Sequence, residues 1–212
     1  KWIPALIDGR IKFSIGISGK GGHASRPHES TDPVLVAAHT ILALQSIASR
    51  TVDPLDSVVV SACMVRAGEA FNVIPQEAML SGTVRTLSEA VRDQAQSTLT
   101  TVAEASAAVF GARASVAYER LVPVTVNDDQ KARFAARVAR DVTGAGNVID
   151  SMRPVMGAED FSYMLAQRPG AYVFLGNGVG PGLHHPEFNF NDAAIPFGVS
   201  YMARLAELSM PM

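Results

Sequence analysis

Two adjacent histidines, His184 and His185, lie in the glycine-rich stretch PGLHHPEFNFND (residues 181–192), just after an apolar run. An imidazole in such a loop can hold a divalent metal or act as a base. A catalytic zinc takes about three protein ligands and keeps a position open, so the chemistry depends on companions. The chain has five histidines, the others being His23, His28 and His39. His23 ends the turn GKGGH, which on residue types alone is a turn after a strand. His28 precedes a helix start that it can hydrogen-bond, and His39 shares a helix face with Ala38 and Leu42 and reads as structural. Glu159 and Asp160 in GAEDFS stand at the start of a helix, where the dipole and capping favour carboxylates with no catalysis required. Asn72 falls in a loop and Arg85 near the end of a strand. An amide and a guanidinium suit a carboxylate ligand, because arginine offers a planar fork matched to two oxygens, although a strand arginine is commonly only a solvated charge. The run GNGVGPG (176–182) lacks a P-loop lysine and opens no helix, which argues against a nucleotide loop.

The elements that must position these groups can be read from periodicity. Residues 11–18 alternate Ile11, Phe13, Ile15 and Ile17 with Lys12, Ser14, Gly16 and Ser18, the pattern of a half-buried strand. A helix is predicted over 33–49, with Thr31 or Asp32 as N-cap and Pro33 at its first position. Strands follow at 57–66 and 77–86, separated by a loop marked by Gly68 and Pro75. A second helix runs from its cap Ser88 to Gly111, with Arg92 and Asp93 on exposed turns, and ARASVAYERL reads as a strand. The order from 11 to 121 is strand, helix, strand, strand, helix, strand, that of a ferredoxin-like sandwich. From Val126 the pattern becomes helix, strand (NVID), helix, strand (AYVFLG), helix, as in a parallel or mixed sheet covered by helices. Two such strands make too small a sheet to stand alone, so this segment reads as part of a larger α/β domain.

The 212 residues allow one large or two modest domains. With 18 basic against 20 acidic side chains the net charge is -2, and no Lys or Arg run offers a nucleic-acid footprint. The single Cys63 lies in the apolar stretch SVVVSACMVRAG, which reads as a buried strand with the thiol as a small hydrophobe. No apolar run approaches the roughly 20 residues that cross a bilayer, so a cytoplasmic protein is expected. Beginning at Lys1 without a signal-peptide pattern, the chain reads as a piece of something longer.

Five motifs, GKGGHASRPH (19–28), AFNVIP (70–75), GTVRT (82–86), MGAEDFSYM (156–164) and LHHPEFNFND (183–192), together resemble the second half of the M20 metallopeptidase family. The likeness is to its aminoacylase-like amidohydrolase branch, which includes hippurate and auxin-conjugate hydrolases. The resemblance implies an α/β fold class in three stretches. Residues 1–10 would link from the catalytic domain, 11–122 would form a ferredoxin-like βαββαβ lid that dimerises, and 123–212 the C-terminal part of a zinc-peptidase-type catalytic domain. It implies a centre of two divalent ions, zinc or else manganese or cobalt, to which His184 gives one ligand while His185 lines the rim and Glu159 stands near the metals. His23 would reach across the dimer and donate to the oxyanion, and Arg85 would take the carboxylate of an N-acyl amino acid, with Asn72 beside it or at the oxyanion. Most metal ligands and the glutamate base belong to the family's first half, and nothing here matches them. This chain alone is therefore expected to be inactive and to bind zinc weakly. The competing reading is a non-catalytic ferredoxin-like dimerisation or amino-acid-binding module, which leaves MGAEDF and LHHPEFNFND unexplained.

Overall fold

A computed structural model describes residues 2–4, 6–7 and 9–210, with side chains from residue 9 onward. Its strands are β1 (Trp2–Pro4), β2 (Leu6–Ile7), β3 (Gly9–Ser18), β4 (Gly22–His23), β5 (Val58–Ala67), β6 (Val73–Ile74), β7 (Glu77–Thr86), β8 (Arg113–Val122), β9 (Thr125–Val126) and β10 (Val173–Leu175). The helices are α1 (Pro33–Ser46), α2 (Glu89–Val109), α3 (Asp129–Thr143), α4 (Phe161–Gln167) and α5 (Ile195–Ser209). The chain divides into two compact units, one of residues 7–124 with 156–159 and the other made of the remainder.

In the first unit four long antiparallel strands pair in the order β5-β7-β3-β8. Taken in chain order, that is second, third, first, fourth, with one helix in each crossover, the ferredoxin-like arrangement. The alternation read in residues 11–18 has its physical outcome here. Ile11, Phe13, Ile15 and Ile17 point to the helix side and are buried with Leu80 and Val84 of β7. From α1 come Val36, Ala37 and Leu44, and from α2 Val91, Ala95, Leu99 and Ala103. Burying each large aliphatic or aromatic side chain is worth about 1.5–3 kcal/mol, so this face holds the unit together.

The helix ends follow their caps. The Asp32 carboxylate accepts from Val34 N at 2.8 Å, with Pro33 at the first position, and the Ser88 hydroxyl accepts from Val91 N. Past Ser46, α1 continues as a π-helical turn over Ile47–Thr51. The continuous 19-residue stretch Pro33–Thr51, of mean hydropathy 1.2, is long and apolar enough to cross a membrane by length and composition. This corrects the expectation that no run approaches that size. Its buried side, with Val36, Thr40, Leu44 and Ile47, is nonetheless a core face against the sheet.

Two burial expectations are overturned. Cys63 is exposed, because β5 is the edge strand and its register with β7 slips between Ala62 and Met64, putting Cys63 in a bulge. Arg92, expected on an exposed turn, is 4% exposed and held by both Glu89 carboxylate oxygens at 2.8 and 3.0 Å. Burying a charge demands such a partner.

In the second unit Ala135, Val138 and Ala139 of α3 pack with Tyr201 of α5, flanked by Val173, Leu175 and Leu205. NVID forms no strand; a short 3-10 turn, Ala145–Asn147, leads into a single bridge residue, Val148. AYVFLG supplies β10, which pairs antiparallel with β1, Trp2 opposite Leu175 and Pro4 opposite Val173. Among the described residues this segment contributes only two-stranded pairings, β1 with β10 and β2 with β9, so the larger sheet expected from alternating elements is not completed here. Its short apolar strand finds an N-terminal partner that periodicity cannot reveal.

Candidate functional site

The turn GKGGH leaves the end of β3 and is gripped from the start of β7. Gly19 N donates to Gln76 O at 3.0 Å, Gly21 N donates to the Gln76 side-chain oxygen at 2.9 Å, and Gln76 Nε2 donates to Gly19 O at 3.1 Å. Glycine is required because the backbones approach closely: a Cβ on Gly21 would lie 2.9 Å from Ile74 O. β4 then pairs with β6, Gly22 opposite Ile74 and His23 opposite Val73, and Ala24 N donates to Asn72 O at 3.1 Å. These bonds bring His23 and Asn72 to the same exposed corner of the first unit.

Arg85 is not with them. It sits half-buried near the far end of β7, opposite Arg10 of β3 and Val59 of β5. It lies nine residue steps along the strand from Gln76, about 30 Å at 3.3 Å per residue. Of the two places open to Asn72, beside Arg85 or at the oxyanion, the fold of one chain sets it next to His23, with Arg85 at the opposite end of the sheet. The spacing of 13 positions between Asn72 and Arg85 in sequence includes a fully extended strand, which carries them apart.

His184 lies in the second unit, on the loop that leaves β10. Gly182 O accepts from His185 N at 3.1 Å, closing a turn in which His184 has φ 68°, the only positive φ outside glycine among the described residues. The third position of such a turn favours glycine, and an ordinary residue there costs about 1 kcal/mol or more. Asn177 ties the loop at its base: its side chain accepts from Asn191 N at 2.7 Å and donates to Asn189 O at 3.2 Å. The His184 ring is exposed and makes no hydrogen bond among the described residues, whereas His185 Nδ1 accepts from Glu187 N at 3.1 Å. The two neighbours thus differ: His185 is committed to its own loop, and His184 offers either nitrogen. Glu159 is half-buried just before Asp160, the N-cap residue of α4, whose carboxylate makes no capping bond. His28 comes within 3.7 Å of Glu29 and does not bond the start of α1, while His39 meets the edge of Phe110 at 5.0 Å.

The model of peptidase family M20/M25/M40 matches residues 5–208. The chain belongs to this family. It is 36% identical to the hippurate hydrolase of Campylobacter jejuni over 202 residues, covering 95% of this chain and 53% of that protein. It is equally 36% identical to the IAA-amino acid hydrolase ILR1-like 4 of Arabidopsis thaliana over 210 residues, 95% of this chain and 48% of the relative. A third relative, the N-acetyl-L-cysteine deacetylase of Bacillus subtilis, is 36% identical over 186 residues, 87% and 44% respectively. The Bacillus subtilis YXEP protein, a dinuclear metal-binding peptidase of the M20 family, superposes with a TM-score of 0.76 at 28% identity, over 97% of this chain and 51% of that one. A Staphylococcus aureus structure shares the fold, with a TM-score of 0.87 at 24% identity over 97% and 54%. The chain spans about half the length of the curated relatives it matches.

As an M20 member, the chain can be tested for fit to a dinuclear centre. Among the described residues no three His, Cys, Asp or Glu side chains gather as a metal site. The exposed, unbonded imidazole of His184 fits one ligand position and no more. Several contacts around these candidate residues had no signal in the sequence. Ser25, two residues after His23, bonds its ring, and the side chains of Gln76 and Asn177 brace the two loops. Serine, glutamine and asparagine in loops are too common to single out, and their partners lie up to 57 positions away.

Proposed function

We propose that the parent enzyme of this chain hydrolyses the amide bond of N-acyl amino acids or similar small conjugates, with zinc, manganese or cobalt as its metal. The observation that carries this reading is that relatives at 36% identity over nearly the whole chain are named for hippurate, IAA-amino acids and N-acetyl-L-cysteine, each an amino acid acylated on nitrogen. When bound, a pair of divalent ions acidifies water and polarises the scissile carbonyl. His184 would hold one such ion, its ring freed by the Gly182–His185 turn. Glu159 would stand close by, and the remaining ligands and the base would come from upstream residues of the parent.

The lid assignment supports the rest. Residues 11–122 would act as lid and dimerisation domain, 1–10 as the linker and 123–212 as part of the catalytic domain. Two copies would meet through the outer edge of β5 and the outer face of α1, where Val65, Leu35 and Leu42 are 57%, 52% and 72% exposed. Because Arg85 and the His23–Asn72 corner lie at opposite ends of one sheet, a single substrate would be served by Arg85 of one protomer and by His23 and Asn72 of its partner. Arg85 would take the substrate carboxylate, Asn72 would line the same site, and His23 would donate to the oxygen on which charge develops, a contact worth a few kcal/mol. The protein would act in the cytoplasm on a small molecule, with no nucleic acid or membrane involved.

The test is His184→Gln in the parent enzyme, assayed on hippurate and N-acetylcysteine with metal content measured alongside. Bound metal should fall, and kcat/KM should drop about 100-fold or more. Full metal content and unchanged turnover would overturn the assignment.

A further inference from the structure

Ser25 addresses one ring nitrogen of His23 twice. Its backbone N–H donates to His23 Nδ1 at 3.2 Å, and its Oγ lies 2.8 Å from the same atom. A nitrogen of neutral imidazole either carries a proton or accepts one, never both. The backbone amide can only donate, so Nδ1 must be the acceptor, and the Ser25 hydroxyl is then a second donor to it. The proton of the neutral ring is left on Nε2. That nitrogen has no hydrogen-bond partner among the described residues, and the ring is exposed, so its N–H is available to an incoming group. The backbone around it is held by Ala24 N donating to Asn72 O and Arg26 N donating to His23 O at 2.8 Å.

We propose that Ser25 is a positioning residue that locks His23 in the Nε2–H form, so that the lid histidine presents a fixed donor. The proposal rests on the reading of His23 as the donor to the developing oxyanion. A free imidazole exchanges between two tautomers, and only one of them offers a proton at Nε2. Fixing that form before substrate arrives removes a reorganisation step, which is where preorganised donors gain their advantage. Ser25 acts through His23 alone. Ser25→Ala keeps the longer amide bond and loses the shorter hydroxyl bond, while Ser25→Thr keeps both.

The test reads the ring directly. Long-range proton–nitrogen NMR spectra of the 212-residue chain, recorded at mildly alkaline pH, report which nitrogen of each histidine is protonated, and His23→Gln identifies the His23 signals. In the unsubstituted chain His23 should show a bare Nδ1 and a protonated Nε2. Ser25→Ala should move the two nitrogens towards averaged positions, and Ser25→Thr should restore them. A proton found on Nδ1, or spectra unchanged by Ser25→Ala, would overturn the proposal. In the parent hydrolase Ser25→Ala should lower kcat about fivefold, one hydrogen bond's worth, with KM unchanged. A change confined to KM would also overturn it. Full turnover in His23→Gln would instead overturn the catalytic reading of His23, while the ring spectra would still decide the role of Ser25.

Discussion

Tyr118 faces the helix side of β8, and burial pushes its phenol up from 10.0 to about 12, outweighing the opposing pull of Arg120 and Arg92. Its hydroxyl has no hydrogen-bond partner among the described residues. The folded unit therefore keeps this proton between about pH 10 and 12, where the unfolded chain gives it up. The stability linked to Tyr118 is present below pH 10 and falls as pH rises through that window. Tyr118→Phe should leave the melting temperature at pH 7 unchanged or higher, since it removes an unsatisfied buried group. It should also flatten the decline between pH 10 and 12. Tyr201, likewise raised by burial, keeps some of that decline in place. Thermal unfolding over a pH series checks this, and superimposable profiles would refute it. At this scale the motifs made His23, Asn72, Arg85, Glu159 and His184 legible as candidates. Ser25 and Asn177 were not, because their roles consist of hydrogen bonds that exist only once the loops are folded.

Among the elements, the central pair β3 and β7 leaves least room for change. Gly82 faces Phe13 across the pair and Ala62 on the other side, and a Cβ placed there would run into the Ser61 carbonyl oxygen and the Phe13 ring. A backbone atom cannot move aside as a flexible side chain can. Gly82→Ala should therefore destabilise the first unit by about 1–3 kcal/mol or more, read as a lower denaturant midpoint with the slope retained. An unchanged midpoint would show that the strands can part there at no cost. The glycine of GTVRT thus has a packing reason separate from the arginine three positions on. Periodicity and caps located the long strands and helices of this unit within a few residues, because alternation, Asp32, Pro33 and Ser88 act locally. Cys63 and Arg92 were misplaced, because an edge bulge and a buried Glu89–Arg92 pair depend on neighbours in the fold.

For the whole molecule, the separation of Arg85 from His23 gives the proposed dimer a direct consequence. If each active site draws Arg85 from one protomer and His23 from the other, a mixed dimer of a His23→Gln subunit and an Arg85→Ala subunit has one site with both lesions and one with neither. Unfolding the two inactive parent variants together and refolding them should restore activity that neither homodimer has, and the same mixture without subunit exchange should stay inactive. No recovery after exchange would place both residues in the same protomer's site.

The sequence alone determined the ferredoxin-like order of elements, the inward face of residues 11–17 and the caps, because each is written in short-range spacing, while its likeness to M20 motifs singled out the candidate site residues. Tertiary structure decided which strand became an edge and that AYVFLG pairs with the N-terminal strand. It also placed His23 beside Asn72 and Arg85 at the far end of the sheet. Those outcomes depend on strand order and register, which are set by pairing between segments tens of residues apart, and no local pattern encodes the partner.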